Sequence, residues 1–168
     1  MAVLPIRLFP DPILRQRSKP ASWKEPKVQE FIRHLVDTLY AQPGGIGIAA
    51  PQVGNAKRII VIDISSKDPT KRREVMINPV LRRLDGEVLS REGCMSLPEY
   101  TAYLKRSVQI RVVWQDLSGN HCDKWFEGIE AICIQHEIDH LNGMLFLDRV
   151  VSLKTDMMPR ANNKKKTK

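Results

Sequence analysis

The sequence predicts an α+β fold, with antiparallel strands arranged around a central helix that carries an H-E-x-x-H motif. Three observations lead there. Two segments space their apolar residues at helical intervals, several short β-branched runs lie between them, and 168 residues suit one domain with one sizeable core. No internal repeat and no linker interrupts the chain. Residues 1–159 are therefore read as a single domain and 160–168 as a basic, disordered tail.

The elements follow in order. The start, through Pro5, Pro10, Pro12 and Pro20, is irregular or in short turns. From Val28 to Tyr40 the apolar residues Val28, Phe31, Ile32, Leu35, Val36, Leu39 and Tyr40 recur at steps of three and four, which predicts a helix stopped by Pro43-Gly44-Gly45. Arg58–Ile64 is β-branched and reads as a strand, as does Glu74–Ile77, stopped by Asn78-Pro79. Another strand spans about 108–114, and Leu117-Ser118-Gly119-Asn120 turns into a further short one. A second helix runs from about 127 to 141 and ends at Asn142-Gly143, followed by a short apolar piece, Met144–Leu147.

A 42% hydrophobic and 27% charged composition is that of an ordinary globular chain. No apolar stretch approaches membrane-spanning length, and Met1–Arg7 lacks a basic region followed by a long apolar run, so neither a membrane span nor a signal peptide is expected. The expected location is the cytoplasm; the alternative is an organelle matrix after loss of a transit peptide. Cys94, Cys122 and Cys133 are odd in number and widely spaced, which does not read as a disulfide framework. Of the net charge of +8, five positive charges sit in Arg160, Lys164, Lys165, Lys166 and Lys168, leaving the body at only about +3. That body is not a nucleic-acid-binding surface, and no sequence-specific nucleic acid is expected. The lysine run reads as a solvated end, with salt-dependent contacts to ribosomal RNA as the functional alternative.

The chemistry concentrates in three segments. His136-Glu137-Ile138-Asp139-His140 puts two imidazoles four residues apart on one helical face, where both reach one ion. Glu137, one step round, is placed to act on a water bound to that ion. Catalytic metal sites usually take three protein ligands, yet no His follows His140 and the only later acids are Asp148 and Asp156. Upstream, Arg91-Glu92-Gly93-Cys94-Met95-Ser96 offers a thiolate after a glycine that permits a sharp turn. Taken alone, Cys94 reads equally as a small buried apolar residue. In Gly45-Ile46-Gly47-Ile48-Ala49-Ala50-Pro51-Gln52 the glycines suit close backbone approach to a ligand, with Gln52 as a side-chain donor; the pattern is not that of a phosphate loop. Ile129, Ile132 and Cys133 share a helical face with the two histidines and suit either a substrate pocket or plain core packing. Arg106 and Asp139 are candidates for a supporting ion pair.

Together the three segments resemble the peptide deformylases, whose G-x-G-x-A-A-x-Q, E-G-C-x-S and Q-H-E-x-D-H motifs appear here in order as Gly45–Gln52, Glu92–Ser96 and Gln135–His140. The likeness extends from Asp11-Pro12 to about Asp148. It implies a hydrolase that removes the formyl group from the N-terminal formylmethionine of nascent peptides and releases formate. It implies Cys94, His136 and His140 as metal ligands, Glu137 as acid–base, and Gln52 with the Met95 N–H as donors to the developing oxyanion. Gly45, Ile46, Gly47, Glu92, Ile129, Ile132 and Cys133 would line the peptide cleft. Fe²⁺ is the implied metal, with zinc, nickel or cobalt as replacements, and the ribosome is a candidate partner. Met95 stands where Leu is common and Glu130 where an apolar residue is common; Pro159 and the polar tail argue against the long C-terminal helix of many bacterial members. The competing readings are a metalloprotease that uses H-E-x-x-H, and a non-catalytic metalloprotein that binds ribosomal RNA through its tail.

Overall fold

The computed structural model describes residues 2–160; the tail predicted for 160–168 lies outside it apart from Arg160. Three α-helices and eight strands follow the order α1 (Pro26–Ala41), β1 (Gly47–Ala49), β2 (Ile59–Ile62), β3 (Glu74–Asp85), β4 (Val88–Cys94), β5 (Leu97–Arg106), β6 (Gln109–Gln115), β7 (His121–Glu127), α2 (Gly128–Leu141), α3 (Leu153–Asp156) and β8 (Met157–Pro159). The strands form two antiparallel sheets, one ordered β1-β2-β3-β6-β7 and the other β4-β5-β8. The mixed α+β class with antiparallel pairing matches the expectation. No helix among the described residues is long and apolar enough to cross a membrane.

One face of the larger sheet is covered by α2, and the other is covered by α1 over β1–β3. Ile60, Ile62, Met76, Ile110, Val112 and Phe126 pack with Ala131, Ile134, Ile138 and Leu141 of α2. Ile59, Val61 and Ile77 pack with Val28, Ile32, Leu35 and Leu39 of α1 on the other side. Side chains alternate faces along a strand, so β2 must be apolar at every position; that is why its Ile-Ile-Val-Ile run reads as a strand without polar alternation. Burying each such side chain contributes about 1.5–3 kcal/mol.

Pro26 opens α1 at a position where its missing N–H costs nothing, and Gly143, at φ +73°, follows the end of α2 in the left-handed region. One predicted boundary is corrected. Asn78-Pro79 does not stop the third strand, which continues to Asp85. Asn78 adopts φ +54°, the register slips between Ile77 and Val80, and its side-chain amide pairs with both the N–H and the carbonyl of Ala21 at 2.8 Å. A bulge thus absorbs the proline while the sheet carries on.

The smaller sheet encloses its own core of Leu14, Cys94, Leu97, Ala102, Leu104, Leu145 and Phe146. None of its three strands is among those expected from the sequence. The turn that presents Cys94 is Met95-Ser96, where Cys94 pairs with Leu97; Gly93 lies within β4 and takes no left-handed conformation, contrary to the turn expected at that glycine.

Candidate active site

The helix α2 carries His136 and His140 on one face, their rings 5.0 Å apart at 70°. The end of β4 brings Cys94 against them, with its Sγ 3.3 Å from His140 Nε2. One donor atom from each of the three residues lies within 4.8 Å of the others, and all three side chains are buried. Glu92 Oε2 sits 2.8 Å from His136 Nδ1, which leaves Nε2 of that ring for the centre. A sulfur and two imidazole nitrogens suit a borderline-soft divalent ion and disfavour magnesium. The buried Glu137 Oε2 and His140 Nδ1 have no hydrogen-bond partner among the described residues; a bound ion with its water fits the first of these atoms. The residues present therefore fit a metal.

The electrostatics agree. Burial pushes the Cys94 thiol up, but His140 and His136 outweigh it and hold the thiol well below its ordinary range, in the thiolate form that ligates metals. Burial pushes Glu137 up to about 7, despite the opposing pull of His136 and His140. Burial acts on Glu92 too, but the hydrogen bonds from Arg106 and His136 overcome it and bring the carboxyl down to about 2.

An ion network runs from that carboxylate to the surface. Arg106 Nε and Nη2 donate to Glu92 at 2.7 and 3.0 Å, and its Nη1 donates to Asp139 Oδ2 at 2.6 Å. Arg149, half-exposed, closes the chain on Asp139. The pair suggested for Arg106 and Asp139 is thus present, and it is buried.

Gln52, also buried, accepts from the Ala49 N–H at 3.0 Å, and its Nε2 lies 3.6 Å from Cys94 Sγ and 3.3 Å from Ser96 Oγ. Cys94, His136 and Glu137 open onto a cavity of about 300 Å³. Gly45, Ile46, Gly47, Glu92, Met95, Ile129, Ile132 and Cys133, the cleft residues expected from the sequence together with Met95, all line it. The carboxylate of Glu92 is taken up by Arg106 and His136. Ile129 is about half exposed at the cavity and so is not a core residue. Burial, reinforced by Glu137, drives the Cys133 thiol well above its ordinary value, so Cys133 is a neutral wall that donates weakly to the Ile46 carbonyl at 3.5 Å. Gly47 serves close packing: a Cβ there would stand 2.6 Å from Cys133 Sγ and 2.7 Å from Glu137 Oε1. Arg91 and Arg160 line the cavity as well, and neither is among the cleft residues expected from the sequence. No local signal marks Arg160; β8 delivers it.

The polypeptide deformylase family profile matches residues 3–156. The peptide deformylase of Mesorhizobium japonicum is 41% identical over 159 residues, covering 94% of this chain and 90% of that protein. The crystal structure of peptide deformylase from Thermotoga maritima superposes with a TM-score of 0.83 at 35% identity, covering 90% of this chain and all (100%) of that one. A Met-Ala-Ser-bound class I type b peptide deformylase from Acinetobacter baumannii does so with 0.82 at 30% identity, covering 89% and 99%. With the family profile spanning nearly the whole chain and relatives this similar along their full length, the chain belongs to the peptide deformylase family of hydrolases.

Proposed function

We propose that the protein hydrolyses the formamide of an N-terminal formylmethionine on nascent peptides, in a metal-dependent reaction that yields formate and a free amine. Residues 1–159 form the catalytic unit, and the cytoplasm is its place of action. The observation that carries the reading is the buried Cys94–His136–His140 donor cluster with the unpartnered Glu137 carboxyl oxygen beside it. The peptide-bound relative supports the choice of substrate.

Cys94, His136 and His140 would hold a divalent ion, Fe²⁺ in the first instance, with zinc, nickel or cobalt as substitutes. When bound, such an ion supplies Lewis acidity and a water acidified towards neutral pH. The chain's own groups do the rest. Ile129, Ile132, Cys133 and the Gly45–Gly47 backbone seat the methionine side chain and peptide. The Gln52 amide and the Met95 N–H donate to the formyl oxygen as charge grows on it; loss of one such donor typically costs about 3–4 kcal/mol. Glu137 takes the proton of the attacking water and delivers it to the leaving nitrogen. A carboxyl lifted to about 7 is matched to both halves of that transfer near neutral pH. Glu92, held by Arg106, fixes the His136 ring.

The test is formate release from formyl-Met-Ala-Ser by protein purified without oxygen and loaded with Ni²⁺ or Fe²⁺. Wild type should release formate, and Glu137→Gln should bind the metal but turn over about 10²–10⁴-fold more slowly. A metal-loaded wild type that releases no formate overturns the assignment.

A further inference from the structure

Charge at the cavity is one-sided. Its two acids, Glu92 and Glu137, are buried, and Glu92 is already paired with Arg106 and His136. The two exposed charged residues that line it, Arg91 and Arg160, are both cationic. Neither forms a salt bridge among the described residues. Arg91 leans over the Tyr103 ring, 6.0 Å from its centroid, and its Nε lies 3.4 Å from Thr101 Oγ1.

Arg160 is put there by the fold. The strand β8 pairs with β5 through Tyr100–Pro159, Thr101–Met158 and Ala102–Met157, and the Arg160 N–H then donates to the Glu99 carbonyl at 2.7 Å. The side chain crosses to β4, where its Nη2 would stand 2.6 Å from a Cβ at position 93. Only a residue without a side chain lets the guanidinium lie that close to the backbone, one residue from Cys94. Pro43–Gly47 also line the cavity. A peptide that leaves the centre through this cavity would run past both cations.

We propose that Arg160, assisted by Arg91, is a specificity-determining residue that favours substrates with a carboxylate side chain directly after the methionine and disfavours those with a basic one. The inference rests on the deformylase reading of the same site.

The experiment compares kcat/KM of the nickel-loaded full chain on formyl-Met-Ala-Ser, formyl-Met-Asp-Ser and formyl-Met-Lys-Ser at low ionic strength. An exposed charge pair is worth about a twofold to fivefold change in binding, so wild type should prefer the Asp peptide over the Lys peptide by about that factor, and salt should erode the preference. Arg160→Ala should shrink the ratio, Arg160→Glu should shrink or invert it, and Arg160→Lys should retain it. An Asp-to-Lys ratio of one in wild type, or a ratio the same in Arg160→Glu as in wild type, overturns the proposal. The neutral peptide separates the two claims: no formate from it with wild type sinks the deformylase reading, whereas turnover of it with an unchanged ratio sinks only the role of Arg160.

Discussion

At the scale of single residues, Glu92 shows how little of a side chain's work its type reveals. It stands two positions before Cys94 and was read as part of a peptide cleft, yet its two oxygens meet Arg106 twice and His136 once. Replacing it by alanine leaves Arg106 buried beside Asp139 alone and frees the His136 ring. Breaking a buried pair in this way costs about 3–5 kcal/mol, and removing the partner of a metal-bound imidazole lowers metal affinity about 10–100-fold. Glu92→Ala should therefore melt lower and lose nickel to a chelator more readily; retention of wild-type metal affinity would show that Glu92 does not orient His136. Gly47 is the converse case. Its type was noticed, but the neighbour that requires it, the Cys133–Glu137 face of α2, comes from far along the chain.

At the scale of elements, β4 explains why half the site was hard to see. Its inward positions include Ser90, Glu92 and Cys94, and its outward ones are Leu89, Arg91 and Gly93. The strand turns Ser90, Glu92 and Cys94 inward and Leu89 outward, so period-two alternation gives no apolar face to recognise. The next strand, β5, repeats the effect by turning Arg106 inward. Glu130, unexplained from the sequence, has a local account. It is buried on the first turn of α2, and Lys71 from the loop between β2 and β3 reaches it at 2.9 Å. Lys71→Ala should destabilise by about 1–3 kcal/mol by leaving a buried carboxylate unpaired. Lys71→Ala combined with Glu130→Leu should recover most of that loss. Urea midpoints of the two variants would check this, and equal loss in both would refute the pairing as the cause.

At the scale of the whole molecule, the buried titrating groups predict how the metal-free protein responds to pH. Glu137 is lifted in the folded state to about 7 from an ordinary 4.5. Between those values the folded chain holds the extra proton on Glu137, so the contribution of this group to stability falls as pH rises through the window and is lost above 7. The shift corresponds to about 3 kcal/mol. Glu92, lowered to about 2, has the opposite sign: its contribution is complete above 4.5 and is lost as pH drops towards 2. Glu137→Gln should therefore flatten the stability profile between about pH 4.5 and 7 and leave the acid limb in place. Denaturant unfolding of metal-free wild type and variant across that range decides it; parallel profiles would place the burial cost elsewhere.

What the sequence determined by itself was whatever a local period or spacing can encode. The two histidines fall on one face of α2 because four residues make about one helical turn. The helix α1 follows from its apolar stripe, and β2 from a run apolar at every position, as a strand covered on both faces must be. The tertiary structure alone decided which distant groups meet. It carried the third strand through Asn78-Pro79 by anchoring Asn78 to Ala21, seated Cys94 against His140 and Gln52 against Cys94, joined Glu92 to Asp139 through Arg106, and brought Arg160 to the rim by pairing β8 with β5. Those meetings depend on sheet order and register, which arise from packing the whole chain at once and leave no periodic trace in any one segment.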